Sequence, residues 1–337
     1  MFNKISIIGF GAFGYAIANH LSEQLMNKGF NDSKIHVYDS DSKILSYAKK
    51  KRKHPLFSHS PELKENIEIS FSARDALLKS DLVVISLPVQ FIRQFLLDSK
   101  HYFSKKTYIL NTCKGIESST GNLVSDIIVD IFGKNILSNY CFISGGMIAS
   151  DFIDKKGIFS ADVVSGNNAL RRKIKTLFES NKLSLNLCSS VRFYESASAL
   201  KNIISLGAGI LEGRGYPYST RSLFISSSFY ELRHLSYLIS NKKVNDLGVA
   251  FWGDYIMSTT GDTRNRFFGK MIGKGRDLES AIEHMKKKNL TAEGYWAIKG
   301  ISQLIKNNKS SLPIFNLIYE ILYESRSPDD IHKFMFL

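Results

Sequence analysis

Residues able to do chemistry gather most tightly around Lys201. It stands beside Asn202 inside Tyr194–Gly215, YESASALKNIISLGAGILEGRG, where Ala197, Ala199, Leu200, Ile203, Ile204, Leu206, Ala208, Ile210 and Leu211 leave no broad polar side. A helix with that pattern lies inside a fold rather than on it. Burying an ammonium is costly unless it is paired or its pKa falls, and a lysine brought toward neutrality can donate and accept protons. The ordinary alternatives are a side chain that snorkels to the surface or a structural ion pair. Further along, Gly253-Asp254 interrupts an apolar segment, Arg264-Asn265-Arg266 follows ten residues after Asp254, and Glu293-Gly294 opens another helical pattern. Singly, Asp254 reads as a helix cap and Arg264 as a surface charge. Together with Lys201 and Asn202 they suit an anionic substrate with a reducible carbonyl: the lysine protonates the oxygen, the aspartate orients or tunes the lysine, and arginine with asparagine binds phosphate.

The first half of the chain supplies a site for the other reactant. Lys4–Gly9 is a short β-branched run leading into Gly9-Phe-Gly11-Ala-Phe-Gly14, and Tyr15–Leu21 has helical spacing. In a strand–loop–helix of this kind the first glycine permits the turn, the second lets a pyrophosphate approach the backbone, and the third lets helix and strand pack closely. The helix N-terminus then offers free N–H groups to the anion. The next strand, Lys34–Asp39, ends in an acid where a ribose 2′-hydroxyl would bind, which favours NAD over NADP while leaving NADP possible. Asp41 is a rival for that place, and either acid could instead cap the following helix.

Strands are then expected at Ile67–Phe71, Leu82–Leu87, Thr107–Thr112, Tyr140–Ser144 and Ala161–Ser165, with helices between them and a last one over Asn168–Asn181. That alternation predicts an α/β fold, a Rossmann-like doubly wound parallel sheet, whose ligands sit at the carboxyl ends of the strands. Gln90, Lys114 and Gly145-Gly146 fall at such ends. From about Phe193 strand patterns stop. Helices are expected over Glu195–Leu211, Thr220–Ile239, Lys243–Met257, Asp277–Lys288, Glu293–Lys306 and Leu312–Glu324, giving an all-α second domain. The division is placed at 1–192 and 193–337, with a packed junction, and Lys201 is expected to face the cleft between the two.

Composition narrows the classes. At 44% apolar and 23% charged residues over 337 positions, the chain reads as a soluble globular protein. With a strand expected almost from Met1, no secretory signal is expected, and no apolar run approaches a membrane span. Cys113, Cys141 and Cys188 are isolated and lack metal-ligand spacing, so reduced thiols in a cytoplasmic protein and no metal are expected. The net charge is +14, and the basic clusters are Lys49–His54 and Lys286–Lys288. Neither run is interleaved with aromatics as a single-strand groove would be, so no nucleic-acid partner is expected.

In order and spacing, five blocks resemble the NAD(P)-dependent glycerol-3-phosphate dehydrogenase family. They are Gly9–Gly14, Val83–Arg93, Lys114–Glu117, Ala199–Ile203, and Gly253-Asp254 with Arg264-Asn265. Glu293-Gly294 and Leu312–Tyr319 fit as weaker blocks. The resemblance implies reversible reduction of dihydroxyacetone phosphate to sn-glycerol 3-phosphate, feeding phospholipid synthesis, in a two-domain enzyme that pairs as a homodimer. It implies Lys201 as proton donor, supported by Asp254, with Lys114 and Asn202 around substrate and nicotinamide. Ser258, Arg264 and Asn265 resemble substrate ligands. Gly9, Gly11, Ala12, Phe13, Gly14, Asp39, Lys114, Ala149, Arg264 and Glu293 resemble cofactor contacts. The family's Gly-Pro-Ser/Thr-Phe-Ala is replaced here by Gly145-Gly146-Met147-Ile148-Ala149, its Asn-Thr-Lys/Arg-Ala by Ser219–Ser222, and its Gly-Asp-Leu by Gly253-Asp254-Tyr255. These departures leave open a relative acting on another keto or hydroxy substrate, or a nucleotide-binding regulator without turnover.

Overall fold

The computed structural model describes residues 2–57, 59, 61–154, 157–244, 247–288 and 290–335. Eight strands form one sheet: β1 (Lys4–Ile8), β2 (Lys34–Tyr38), β3 (Ile67–Ile69), β4 (Leu82–Ile85), β5 (Tyr108–Asn111), β6 (Tyr140–Gly145), β7 (Phe159–Val164) and β8 (Leu183–Cys188). Their order across the sheet is β3-β2-β1-β4-β5-β6-β7-β8. Order reverses between β1 and β4, and such a switch point opens a crevice at the carboxyl ends of both strands. The helices of this half are α1 (Ala12–Asn27), α2 (Ser42–Lys51), α3 (Ala73–Leu77), α4 (Ile92–Ser99), α5 (Val124–Phe132), α6 (Ala149–Asp154) and α7 (Asn168–Phe178).

Two details depart from the expected parallel sheet. Pairing between β6 and β7 is antiparallel, with Ser144 opposite Asp162, whereas β7 and β8 run parallel. Strand β8 was not expected at all. Its Leu-Ser-Leu-Asn-Leu-Cys sequence alternates buried and exposed along most of its length, the period of an edge strand covered on one face.

The second half is helical: α8 (Val191–Gly213), α9 (Tyr218–Ser240), α10 (Val249–Thr260), α11 (Arg264–Gly273), α12 (Leu278–Lys287), α13 (Glu293–Gly300), α14 (Ser302–Asn307) and α15 (Pro313–Tyr323). Of the expected Lys243–Met257 helix, residues 245 and 246 lie outside the described residues, and the helix itself starts at Val249. The expected Glu293–Lys306 helix is interrupted at Ile301. Helix α11 was missed, because Gly269 and Gly273 weaken its propensity. Those glycines are what let it touch α8. A Cβ on Gly269 would come within 2.0 Å of the Leu206 carbonyl oxygen, and one on Gly209 within 2.2 Å of the Arg266 carbonyl oxygen.

Helix α8 is the axis of this half. Every residue from Phe193 to Leu211 is buried, and one apolar core joins it to Val83, Ile109 and Phe142 of the sheet as well as to Phe268 and Phe315. The junction is therefore packed. It is also tied by a buried acid: Glu195 of α8 accepts hydrogen bonds from the Tyr140 hydroxyl, from Asn111 Nδ2 at 3.0 Å and from the Ser125 backbone N–H at 3.2 Å.

The basic run at Lys49–His54 is put to structural use. Lys49, Lys50 and Lys51 end α2, where positive charge complements the helix dipole. Arg52 then turns back in a left-handed conformation and donates to the carbonyls of Leu63, Lys64 and Ile67. His54 is fully buried beneath the glycine loop, bonded to the Phe10 carbonyl.

Candidate active site

The glycine loop has the form that a pyrophosphate requires. Gly9 has φ of +93°, and a Cβ there would strike the Ser86 carbonyl at 2.4 Å. On Gly14 a Cβ would lie 1.9 Å from the Gly9 carbonyl oxygen, so helix α1 can approach β1 only without a side chain. Gly11, by contrast, faces open space, with nothing within 4 Å of the Cβ position. That open position stands at the N-cap of α1, which makes no side-chain cap bond. A loop closed on two sides and open on the third, at a helix N-terminus, fits a dinucleotide phosphate. Ala12 and Phe13 form the first helical residues behind it.

Asp39 and Asp41 separate cleanly. Asp41 caps α2 by accepting from Lys43 and Ile44 backbone N–H groups. Asp39 accepts from the Phe10 backbone N–H at 2.7 Å and from that of Asp41 at 2.9 Å, so it shapes the glycine loop from the end of β2.

The polar constellation of the second half converges on the sheet's edge of the crevice. Asp254, in the middle of α10, is 1% exposed and bridges two lysines. Its Oδ1 accepts from Lys201 Nζ at 2.6 Å and its Oδ2 from Lys114 Nζ at 2.8 Å. Lys201 also donates to Ser258 Oγ at 2.6 Å, one turn further along α10. Lys114 also donates to the Gly145 carbonyl at 2.7 Å. Each ammonium has three protons, so each keeps one without a protein acceptor among the described residues. Lys201 is 3% exposed, more enclosed than the expected cleft-facing position, and Lys114 is the more open of the pair.

Burial drives the Lys201 pKa down to about 8; Asp254 opposes this and the neighbouring Lys114 adds to it. Burial alone would raise Asp254, but Lys114 and Lys201 hold its carboxyl below the ordinary carboxylate range. The result is a lysine poised near neutrality beside a fixed anion, which is the condition for proton transfer at physiological pH.

The remaining candidates surround this cluster. Asn202 donates from Nδ2 to the Lys114 carbonyl at 3.1 Å. Arg264 is the exposed first residue of α11, and Thr263, its N-cap, bonds Arg266 N–H and lies 3.0 Å from the Ser205 hydroxyl. Asn265 is buried and its Oδ1 accepts from the Gly294 backbone N–H at 2.9 Å, pinning the starts of α11 and α13 together. A Cβ on Gly294 would meet the Asn202 carbonyl at 2.5 Å, which seats α13 directly on α8. Glu293 opens α13 with Oε2 buried and lacking a hydrogen-bond partner among the described residues, and this atom would stand 2.8 Å from a Cβ on Gly115. Burial raises the Glu293 carboxyl to about 7, against the pull of Arg264.

The structure thus brings Lys114, Asn202, Lys201, Asp254 and Ser258 into one bonded set, and Arg264, Asn265 and Glu293 into an adjoining one. Ser258 was expected to meet substrate; here its hydroxyl is engaged by Lys201. Thr263 was overlooked, although a hydroxyl directly before Arg264-Asn265 is the signal of a helix cap. Ala149 begins α6 beyond the Gly145–Met147 turn, where Met147 N–H donates to the Gly145 carbonyl and Met147 is buried. Gly146 lies 3.3 Å, measured from its Cβ position, from the Asp254 backbone nitrogen.

A dinucleotide crevice joined to a buried lysine–aspartate pair defines the class of nicotinamide-dependent dehydrogenases with a helical second half. The family models described as NAD-dependent glycerol-3-phosphate dehydrogenase N-terminus and C-terminus match residues 4–169 and 191–333. The chain belongs to that glycerol-3-phosphate dehydrogenase family. It is 26% identical over 328 residues to the glycerol-3-phosphate dehydrogenase [NAD(P)+] of Syntrophotalea carbinolica, covering 97% of this chain and 95% of that one. With the enzyme of the same name from Clostridium tetani it shares 29% identity over 324 residues, 95% of this chain and 88% of the relative. The fold matches the crystal structure of glycerol-3-phosphate dehydrogenase from Coxiella burnetii with a TM-score of 0.85 at 19% identity, over 99% of this chain and 98% of that one. The Plasmodium falciparum structure of that name gives 0.87 at 20% identity, over 99% and 95%.

Proposed function

We propose that the protein reduces dihydroxyacetone phosphate to sn-glycerol 3-phosphate with NAD(P)H, reversibly. The observation that carries this reading is the Lys201–Asp254–Lys114 bridge, a buried proton donor held beside the dinucleotide crevice with one N–H unspent. The bound nicotinamide supplies the hydride. The chain's own part is to hold the substrate and move the proton. Arg264 and the free N–H groups at the start of α11 offer phosphate a charged and dipolar seat. Asn265 keeps that seat against α13. Lys201 donates its proton to the carbonyl oxygen in reduction and takes it back in oxidation, while Asp254 fixes its direction. Lys114 adds positive charge beside the developing alkoxide.

The same reading makes residues 1–192 the dinucleotide-binding domain and 193–337 the substrate domain, in a cytoplasmic homodimer. Support for the division is that β8 ends at Cys188 and, among the described residues, the elements that follow are helices. Among the described residues no helix is long and apolar enough to cross a membrane, and no cluster suited to a metal ion occurs. Asp39 at the end of β2 favours NAD, since a carboxylate repels a 2′-phosphate. The test is oxidation of NADH and, separately, NADPH with dihydroxyacetone phosphate. Turnover with NADH exceeding that with NADPH is expected; no turnover with either, despite NADH binding, would refute the assignment.

A further inference from the structure

A second buried carboxylate stands behind the lysine–aspartate–lysine cluster. Asp162, on β7, is 0% exposed. It pairs with Ser144 of β6, the residue before Gly145, whose carbonyl accepts from Lys114. Its Oδ1 accepts from Asn186 Nδ2 of β8 at 3.1 Å, while Oδ2 has no hydrogen-bond partner among the described residues. A carboxylate oxygen left in that state on a strand paired on both sides is costly unless it serves something.

What it faces is the start of α10. Gly248 is the N-cap of that helix and provides no side-chain cap bond. A Cβ on Gly248 would lie 3.7 Å from Asp162 Oδ1. The Phe251 backbone N–H, in the first turn of α10, favours the ionised carboxylate. First-turn N–H groups lack intrahelical acceptors, so the electropositive start of α10 faces the buried carboxylate of a neighbouring strand. Asp254 follows Phe251 by less than one turn. Of the charged groups packed around Asp162, Asp254 of α10 opposes its ionisation and Lys114 after β5 favours it, while the Cys188 thiol of β8 is raised chiefly by burial and further by Asp162. Burial, the largest influence, raises Asp162 to about 6, which leaves it ionised at neutral pH.

We propose that Asp162 is a positioning residue for the reaction: its carboxylate lies against the N-terminal turn of α10 and places a second negative charge behind Lys114 and Asp254, keeping Asp254 in register with Lys201. Two ammoniums then meet two carboxylates. The inference rests on Lys201 as the proton donor.

Asp162→Asn keeps an acceptor and removes the charge, whereas Asp162→Val removes both. For Asp162→Asn, kcat of reduction at pH 7 stays within about threefold of wild type, while the basic limb of kcat/KM moves acidward by roughly half a unit. For Asp162→Val, kcat falls about tenfold or more through misalignment, with KM for dihydroxyacetone phosphate and NADH fluorescence quenching within about twofold. NMR of protein carrying 13Cε-lysine reads the acidward lysine shift in Asp162→Asn without turnover. That readout decides the proposal even if Asp162→Val does not fold, or if the wild type fails on this substrate and the substrate assignment falls. An unmoved lysine titration in Asp162→Asn overturns the proposal. So does an Asp162→Val enzyme with wild-type kcat.

Discussion

Replacing Asp254 by asparagine isolates the electrostatic core of the site. The variant keeps the shape of the side chain and one acceptor oxygen but presents an amide to one of two ammoniums now held on 2.6 and 2.8 Å contacts. Lys201 starts near 8, with burial lowering it and Asp254 raising it. An opposite charge at such range is worth about 1–3 pKa units. Its loss therefore sets Lys201 at roughly 5–7, and repulsion from Lys114 acts in the same direction. At pH 7 the protonated fraction drops from about nine-tenths to between about one-half and one-hundredth. The sign follows from the direction of reaction. Reduction needs the ammonium, so it is supported below the Lys201 pKa and lost as pH rises through it. Oxidation needs the neutral amine and gains activity over the same interval. The expected result is a fall of about 2- to 100-fold in kcat/KM for reduction at pH 7 from protonation alone, with partial recovery as pH is lowered. The assay is NADH oxidation with dihydroxyacetone phosphate from pH 5 to 9, beside the reverse reaction. A basic limb for reduction that stays near pH 8, or moves alkaline, would show that Lys201 is not the proton donor.

Three other substitutions separate binding from architecture. If Arg264 seats the phosphate as proposed, Arg264→Ala removes a charge-assisted contact worth about 1.5–3 kcal/mol, and KM for the phosphorylated substrate should rise about 10- to 100-fold with little change in kcat. Equal rates on phosphorylated and unphosphorylated carbonyl compounds would instead point to another keto substrate. Gly11→Ala costs nothing sterically within the protein, since its Cβ position is open and its φ of −74° suits any residue. The melting temperature should hold while KM for NADH rises, and a variant with normal KM would place the pyrophosphate elsewhere. Gly269→Ala drives a methyl to 2.0 Å from the Leu206 carbonyl and should lower stability by about 3 kcal/mol or more, seen as a shifted urea midpoint.

What the sequence made legible were the parts governed by local rules. The strand–glycine–helix start, the continuous Leu82–Ile85 strand and the fully apolar α8 each announce themselves by period and turn residues. Strand β8 carries an alternation, yet it sits at an edge and Ser184 and Asn186 break its apolar residues apart, so it lacks the apolar run that marks the inner strands. The antiparallel turn of β7 was not readable, because pairing direction depends on where the chain returns and not on the strand's own residues. Helix α11 was hidden by Gly269 and Gly273, whose cost in propensity is outweighed by backbone contact with α8. The candidate site divides in the same way. Lys201, Asp254 and Arg264 stand out as charges in apolar or glycine-marked settings. Asp162 does not, since one acid in a short strand looks like an outward-facing residue until the antiparallel pairing buries it.

That division has a physical consequence for the site. Lys114 reaches Asp254 only because β5 delivers it to the crevice, Lys201 because α8 is buried along its whole face, and Asp254 because α10 packs on β6 and β7. Three separately folded elements therefore fix one carboxylate. Two of them contribute lysines, and burial without that carboxylate would strip Lys201 of its charge. The close approach of α11 to α8 through paired glycines then sets the distance from Arg264 to Lys201. Small residues at the helix crossings consequently control reach, and charged residues at the strand and helix ends control protonation. A substitution at Gly209 or Gly269 should move the first without the second, which is why the stability of the helical half and the titration of Lys201 are separable measurements on this protein.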